Sequence, residues 1–251
     1  MPKTYLKLDA EALIAAVKQL RGRIAARFPQ ASLVKIAQTV VEVSEKAKQR
    51  AEAIRRPNPF VRGSVVLLCA GILAGFVYIA EHLDYRSAEK DVKGASAFVQ
   101  FLGAATQAVA LLGGGAIFIV TLESRLKRAR LIAAVHELRS LAHIIDMHQL
   151  TKCPDHYTKE WHRTEFSVEL RYDIYQVRRY LDYCSELLAM VSKVAMLYLE
   201  AQTDPVVLDA VDQIENLTTS LSRKIWQKVS ILNDIAAQED AREEEPGKDE
   251  G

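Results

Sequence analysis

A chain of 251 residues with 33 Lys and Arg against 32 Asp and Glu carries a net charge of +1, so no global field draws it to nucleic acid. Its 49% apolar and 26% charged residues would suit a soluble globular protein on average. They are segregated, however: the uncharged residues concentrate in two blocks between Pro59 and Glu123, and the flanks are rich in charge, which points away from a purely soluble chain.

The N-terminal stretch MPKTYLKLDAEALIAAVKQLRGR scatters charges through its apolar residues and is not expected to be a signal peptide. Residues 1–58 are predicted to form a cytoplasmic helical hairpin. Leu13, Val17, Leu20 and Ile24 make one apolar stripe, and Leu33, Ile36, Ala37, Val40 and Ala47 make another after the FPQAS break. Arg55-Arg56-Pro57-Asn58-Pro59 ends the second helix, because proline lacks the amide donor and restricts the residue before it.

Residues 61–122 read as a two-span transmembrane hairpin, with spans at about 62–80 and 97–122 and an outer loop at 81–96. Gly63 to Ala80 holds no charged side chain, and neither does the longer stretch from Gly94 to Leu122. The first is about 27 Å of helix and the second over 40 Å, against a hydrocarbon core of about 30 Å, so the second must tilt or begin at the interface. Lys46, Lys48, Arg50, Arg55, Arg56 and Arg62 precede the first span, and Arg125, Lys127, Arg128 and Arg130 follow the second. The loop mixes Arg86, Lys90 and Lys93 with Glu81, Asp84, Glu89 and Asp91. The cation bias therefore places the loop outside and both termini in the cytoplasm, as in a bacterial inner membrane. Within the second span Gln100, Gly103, Gln107, Ala110 and Gly114 share one stripe, and Gly71 and Gly75 make a GxxxG pair in the first. Such a stripe suits close helix packing or, with several copies assembled, an aqueous path lined by Gln100 and Gln107.

No proline or glycine interrupts Ala116 to Pro154, so the second span is expected to continue into the cytoplasm. Residues 123–237 are predicted to form a three-helix bundle or coiled coil. Leu131, Val135, Leu138, Ala142 and Ile145 supply its first stripe. Leu170, Ile174, Val177, Leu181, Cys184, Leu188, Val191, Ala195 and Tyr198 supply a second, in sustained heptads. Asp204-Pro205 supplies a cap and a first-turn proline for a third helix bearing Val207, Val211, Ile214, Leu221, Ile225, Val229 and Leu232. The acidic tail 238–251 lacks apolar anchors and is expected to be disordered. The Asn216-Leu217-Thr218 sequon falls inside the third helix and reads as a chance match.

His136, His143 and His148 crowd one segment with Asp146. His143 and Asp146 stand three apart, and His162 and Glu165 repeat that spacing where the next helix is expected to start. A tight hairpin would bring these four together as ligands for a divalent transition metal, the one cofactor the sequence suggests. Cys69, Cys153 and Cys184 show no ligand spacing and read as reduced thiols. Gly113-Gly114-Gly115 lies inside a span and is no phosphate loop, and no nucleophile with a base is evident, so an enzyme is not expected. The leading expectation is a membrane-anchored helical scaffold or signalling adaptor that self-associates and recruits a cytoplasmic protein partner. An oligomeric channel lined by the second span is the alternative, and a metal-binding sensor or enzyme in the bundle is the third.

Overall fold

In the computed structural model the chain is helical, with no strand among the described residues, which are 8–56, 59–82, 92–158, 161–167, 169, 171–202 and 204–244. The helices are α1 (Ala10–Arg27), α2 (Leu33–Arg55), α3 (Pro59–His82), α4 (Val92–Leu150), α5 (Ile174–Ala201) and α6 (Pro205–Glu244), with a 3-10 turn at Pro154–Tyr157. They fall into two compact units, Arg56–Arg130 on one hand and Met1–Arg55 with Leu131–Gly251 on the other.

The larger unit is a bundle whose core is built from the stripes. Asp9 caps α1, its Oδ1 accepting from the amides of Glu11 at 2.9 Å and Ala12 at 3.4 Å. Leu13, Val17, Leu20 and Ile24 of α1 are buried, as are Leu33, Ile36, Ala37, Val40 and Ala47 of α2. Phe28 closes the α1–α2 turn and sets its edge against Tyr172, Tyr180 and Tyr183, with ring centroids 5.3, 5.6 and 6.2 Å apart. The N-terminal hairpin therefore shares a core with the C-terminal helices instead of standing apart from them. α1, α2 and α6 all pack on α5.

That arrangement changes the meaning of the heptads. Val177, Leu181, Cys184, Leu188, Val191, Ala195 and Tyr198 are buried, but so are Tyr180, Tyr183, Leu187, Val194 and Leu197. A two-stranded seam needs only two positions per heptad, so this wider face marks a helix enclosed by its own chain. Leu170, part of the same reading, lies outside the described residues.

The end of α4 joins this core through Leu131, Val135, Leu138, Ala142 and Ile145. Arg50 of α2 clasps Glu137 of α4 with two hydrogen bonds of 2.7 and 3.1 Å, and the guanidinium holds the Glu137 carboxyl below its ordinary range. Arg139 of α4 reaches Gln213 of α6 at 3.3 Å. α6 begins where expected: the Asp204 carboxylate accepts from the Val206 amide at 2.9 Å, and all seven residues of its expected stripe are buried.

Two expectations are corrected. The connection after α4 is not a tight hairpin, because the chain runs from Thr151 to Asp173 before α5 starts. Asp173 fixes that start with a capping box, its carboxylate accepting from the Gln176 amide at 2.7 Å while Gln176 Oε1 accepts from the Asp173 amide at 3.2 Å. Of the tail expected at 238–251, residues 238–244 continue α6 as far as Glu244, and 245–251 lie outside the described residues. Alanine, glutamate, glutamine and arginine are strong helix formers, and propagation from an anchored helix avoids the cost of nucleation.

In the smaller unit, α3 and residues 92–130 of α4 turn large apolar side chains outward. Leu67 is 77% exposed and Leu111 76%, and Val66, Leu73, Ile117 and Phe118 are also exposed. α4 is long and apolar enough to cross a membrane.

Candidate functional site

The small-residue stripe lies on α3 and α4. Gly71, Gly75, Gly103 and Gly114 are helical, and among the described residues nothing lies within 4 Å of where a side chain would begin on each. Gln107 and Ala110 are exposed, and Gln100 lies on the same helix.

The four predicted metal ligands are not assembled. His143 is exposed on the polar side of α4, and Asp146 is half-buried and accepts from Gln149 Nε2 at 2.7 Å. His162 and Glu165 are exposed, His162 in irregular chain and Glu165 in a turn, so a helical spacing of three has no meaning there. Thr164 and Ser167 organise this stretch instead, the Thr164 amide donating to Ser167 Oγ at 2.7 Å. Among the described residues no three His, Cys, Asp or Glu side chains stand where they could hold a metal ion together. His148 is turned back onto the Ile144 carbonyl at 2.8 Å, and His156 lies against Trp161 with centroids 5.0 Å apart.

The polar centre that the structure does assemble is at the C-terminus of α4, and it is built by a residue the sequence reading passed over. Lys228 of α6 sends its ammonium to the Gln149 carbonyl at 3.0 Å and to Gln149 Oε1 at 2.6 Å. Gln149 is itself buried. A cation here satisfies a carbonyl at a helix end and sits at the negative pole of the helix dipole. Burial pushes the Lys228 ammonium below its ordinary pKa, and the neighbouring Cys153, Asp146, Cys184 and Asp155 oppose that shift.

Lys152 stands nearby with its ammonium 5.3 Å from the Tyr172 ring and 5.2 Å from the Tyr180 ring, and burial lowers its pKa as well. Cys184 is buried, and desolvation pushes its thiol up to about 12. It is an inert core thiol, not a nucleophile. Cys153 Sγ lies 3.4 Å from the Asp155 carboxylate. The chemistry of this centre is thus structural: it locks the end of α4 to α6.

Lys228→Met keeps the stem and removes the ammonium, leaving Gln149 Oε1 without this donor. The bundle is expected to lose about 1–3 kcal/mol, since an orphaned buried acceptor forfeits its solvation. Urea denaturation measures the loss, and hydrogen exchange should quicken in the last turn of α4. An unchanged midpoint with unchanged exchange would assign the lock to apolar packing alone.

Comparison of the chain with protein-family models, with curated proteins and with solved structures finds no match.

Proposed function

We propose that the chain is a two-pass membrane-anchored helical scaffold, with both termini in the cytoplasm of a bacterial cell, that self-associates and presents its bundle to a protein partner. The observation that carries this reading is the outward display of Leu67, Leu73, Leu111, Ile117 and Phe118 from uncharged segments of α3 and α4. Each such side chain forgoes about 1.5–3 kcal/mol if left in water, whereas lipid accepts it. The charged bundle, with its own closed core, belongs in water. Assembly accounts for the open glycines, which let a second helix approach, and for Gln107, whose amide is unfavourable against hydrocarbon unless another copy or water receives it. If water receives it, the assembly is a channel, and conductance in reconstituted bilayers separates that reading from the scaffold.

Topology is tested in sealed cells by thiol labelling. A cysteine placed at Ser87 should react with an impermeant reagent from outside, Cys153 only after permeabilisation, and Cys69 poorly while lipid surrounds it. Labelling of Cys153 in intact cells, or protection of Ser87→Cys, would reverse or remove the hairpin.

A further inference from the structure

The membrane reading takes α4 through the bilayer with its C-terminal part in the cytoplasm, and leaves open which lipids meet the helix where it emerges. We propose that the chain binds anionic phospholipid headgroups of the cytoplasmic leaflet through a collar of cations, Arg125, Lys127, Arg128 and Arg130 of α4 with Arg56 ahead of α3. The proposal rests on that reading and deepens it by naming a lipid partner.

The collar begins where the uncharged stretch ends. Leu122 is the last residue of that stretch, and Arg125 to Arg130 follow within about 12 Å of it along the helix. Headgroups add about 5–7 Å to each side of the hydrocarbon core, and an arginine side chain is long enough to span the rest. Side chains on a helix lean toward its N-terminus, which on α4 is the bilayer side, so these cations are biased back toward the phosphates. Arg125 and Arg128 stand three apart, as do Lys127 and Arg130, and the two pairs fall on opposite faces of the helix. They ring α4 at one level.

The structure adds the fifth member and removes the opposing charge. Lys127 Nζ donates to the Arg56 carbonyl at 3.5 Å, which ties the segment entering α3 to α4 at the collar. Arg56, Arg125 and Arg130 are exposed. Residues 124–130 hold no acid, and Glu123 just before them is neutralised by Lys127 at 2.7 Å. Leu122 and Leu126 are 43% and 53% exposed beside these cations. Apolar and cationic side chains side by side match a phospholipid, whose phosphate stands at the end of acyl chains, better than a soluble anion. A zwitterionic headgroup would set its own cation against the arginines, whereas an anionic one brings only attraction.

The test uses the full-length chain in a non-ionic detergent with equal amounts of phosphatidylglycerol and phosphatidylcholine, the lipids that stay bound being counted by native mass spectrometry. The wild type should retain the anionic lipid about tenfold or more over the neutral one, each collar cation being worth about fivefold. Raised salt should weaken that preference in the wild type itself, where folding is not in question. Arg125→Gln, Arg128→Gln and Arg130→Gln together should abolish most of it with retention of the neutral lipid unchanged, and Arg125→Lys, Arg128→Lys and Arg130→Lys together should keep it. Lys193→Gln, Arg223→Gln and Lys224→Gln remove the same charge from the bundle and should leave the preference intact. Equal retention of the two lipids by the wild type, an unchanged preference in the glutamine variant of α4, or an equal loss in the bundle variant would each overturn the collar and leave the spans standing. A wild-type chain that stays monodisperse without detergent and ignores vesicles of either lipid would overturn this proposal and the membrane reading together.

Discussion

Leu188→Ala is expected to destabilise the bundle by about 2–5 kcal/mol, because the deletion leaves a cavity at a site with no solvent access on any side. Leu188 is fully buried on α5, the helix against which α1, α2 and α6 pack. The informative part is which helices unfold together. If the N-terminal hairpin shares this core, α1 and α2 must lose helicity in the same cooperative transition as α5 and α6, at a lower urea midpoint. A tryptophan or spin probe placed on α1 would follow them. Leu67→Ala in α3 is the control: that side chain is 77% exposed, and its loss should leave the bundle transition where it was. Two separate transitions in the wild type, with only the later one shifted by Leu188→Ala, would divide the hairpin from the bundle.

The apolar stripes on α1, α2 and α6 and at the end of α4 were legible because one buried face imposes a period of 3.6 residues, and each residue named in them is buried. What periodicity could not supply was the neighbour. The heptads of α5 read as a seam because the pattern records only that Leu181 or Leu188 is buried, not whose side chains cover it. Tyr180 and Tyr183, amphipathic and easily read as surface, carry the additional contacts to Phe28. The late start of α5 had a local signal in Asp173 and Gln176, whose spacing is that of a capping box, but the earlier His162 and Glu165 drew the boundary forward. The candidate site was the least legible part. Lys228 and Gln149 lie 79 positions apart, and only the fold brings them into contact.

The second large effect concerns alkaline pH. The Cys184 thiol has an ordinary value of 9.0, and burial raises it to about 12 in the folded chain, with Lys152 and Lys228 pulling weakly the other way. Below pH 9 the thiol is protonated in both states and contributes no pH dependence. Between 9 and 12 the unfolded chain gives up the proton and the folded chain keeps it, so the folded state binds more protons and stability falls as pH rises. Each pH unit in that window costs on the order of 1 kcal/mol, so the fall is under way by pH 10 and deepens toward pH 12. Burial also raises Tyr157, Tyr180 and Tyr198, which adds loss in the same direction above their ordinary 10.0. Lys152 and Lys228 act oppositely: their folded values lie below 10.5, so the folded state releases protons first and gains stability until the unfolded lysines follow. Cys184→Ala isolates the thiol from these competitors. It should lower stability at pH 7 through the small cavity it leaves, yet flatten the fall between pH 8 and pH 10 by on the order of 1 kcal/mol. Urea midpoints at both pH values decide the matter: parallel curves for wild type and variant would mean that Cys184 ionises as readily folded as unfolded, and that α5 is not sealed by its neighbours.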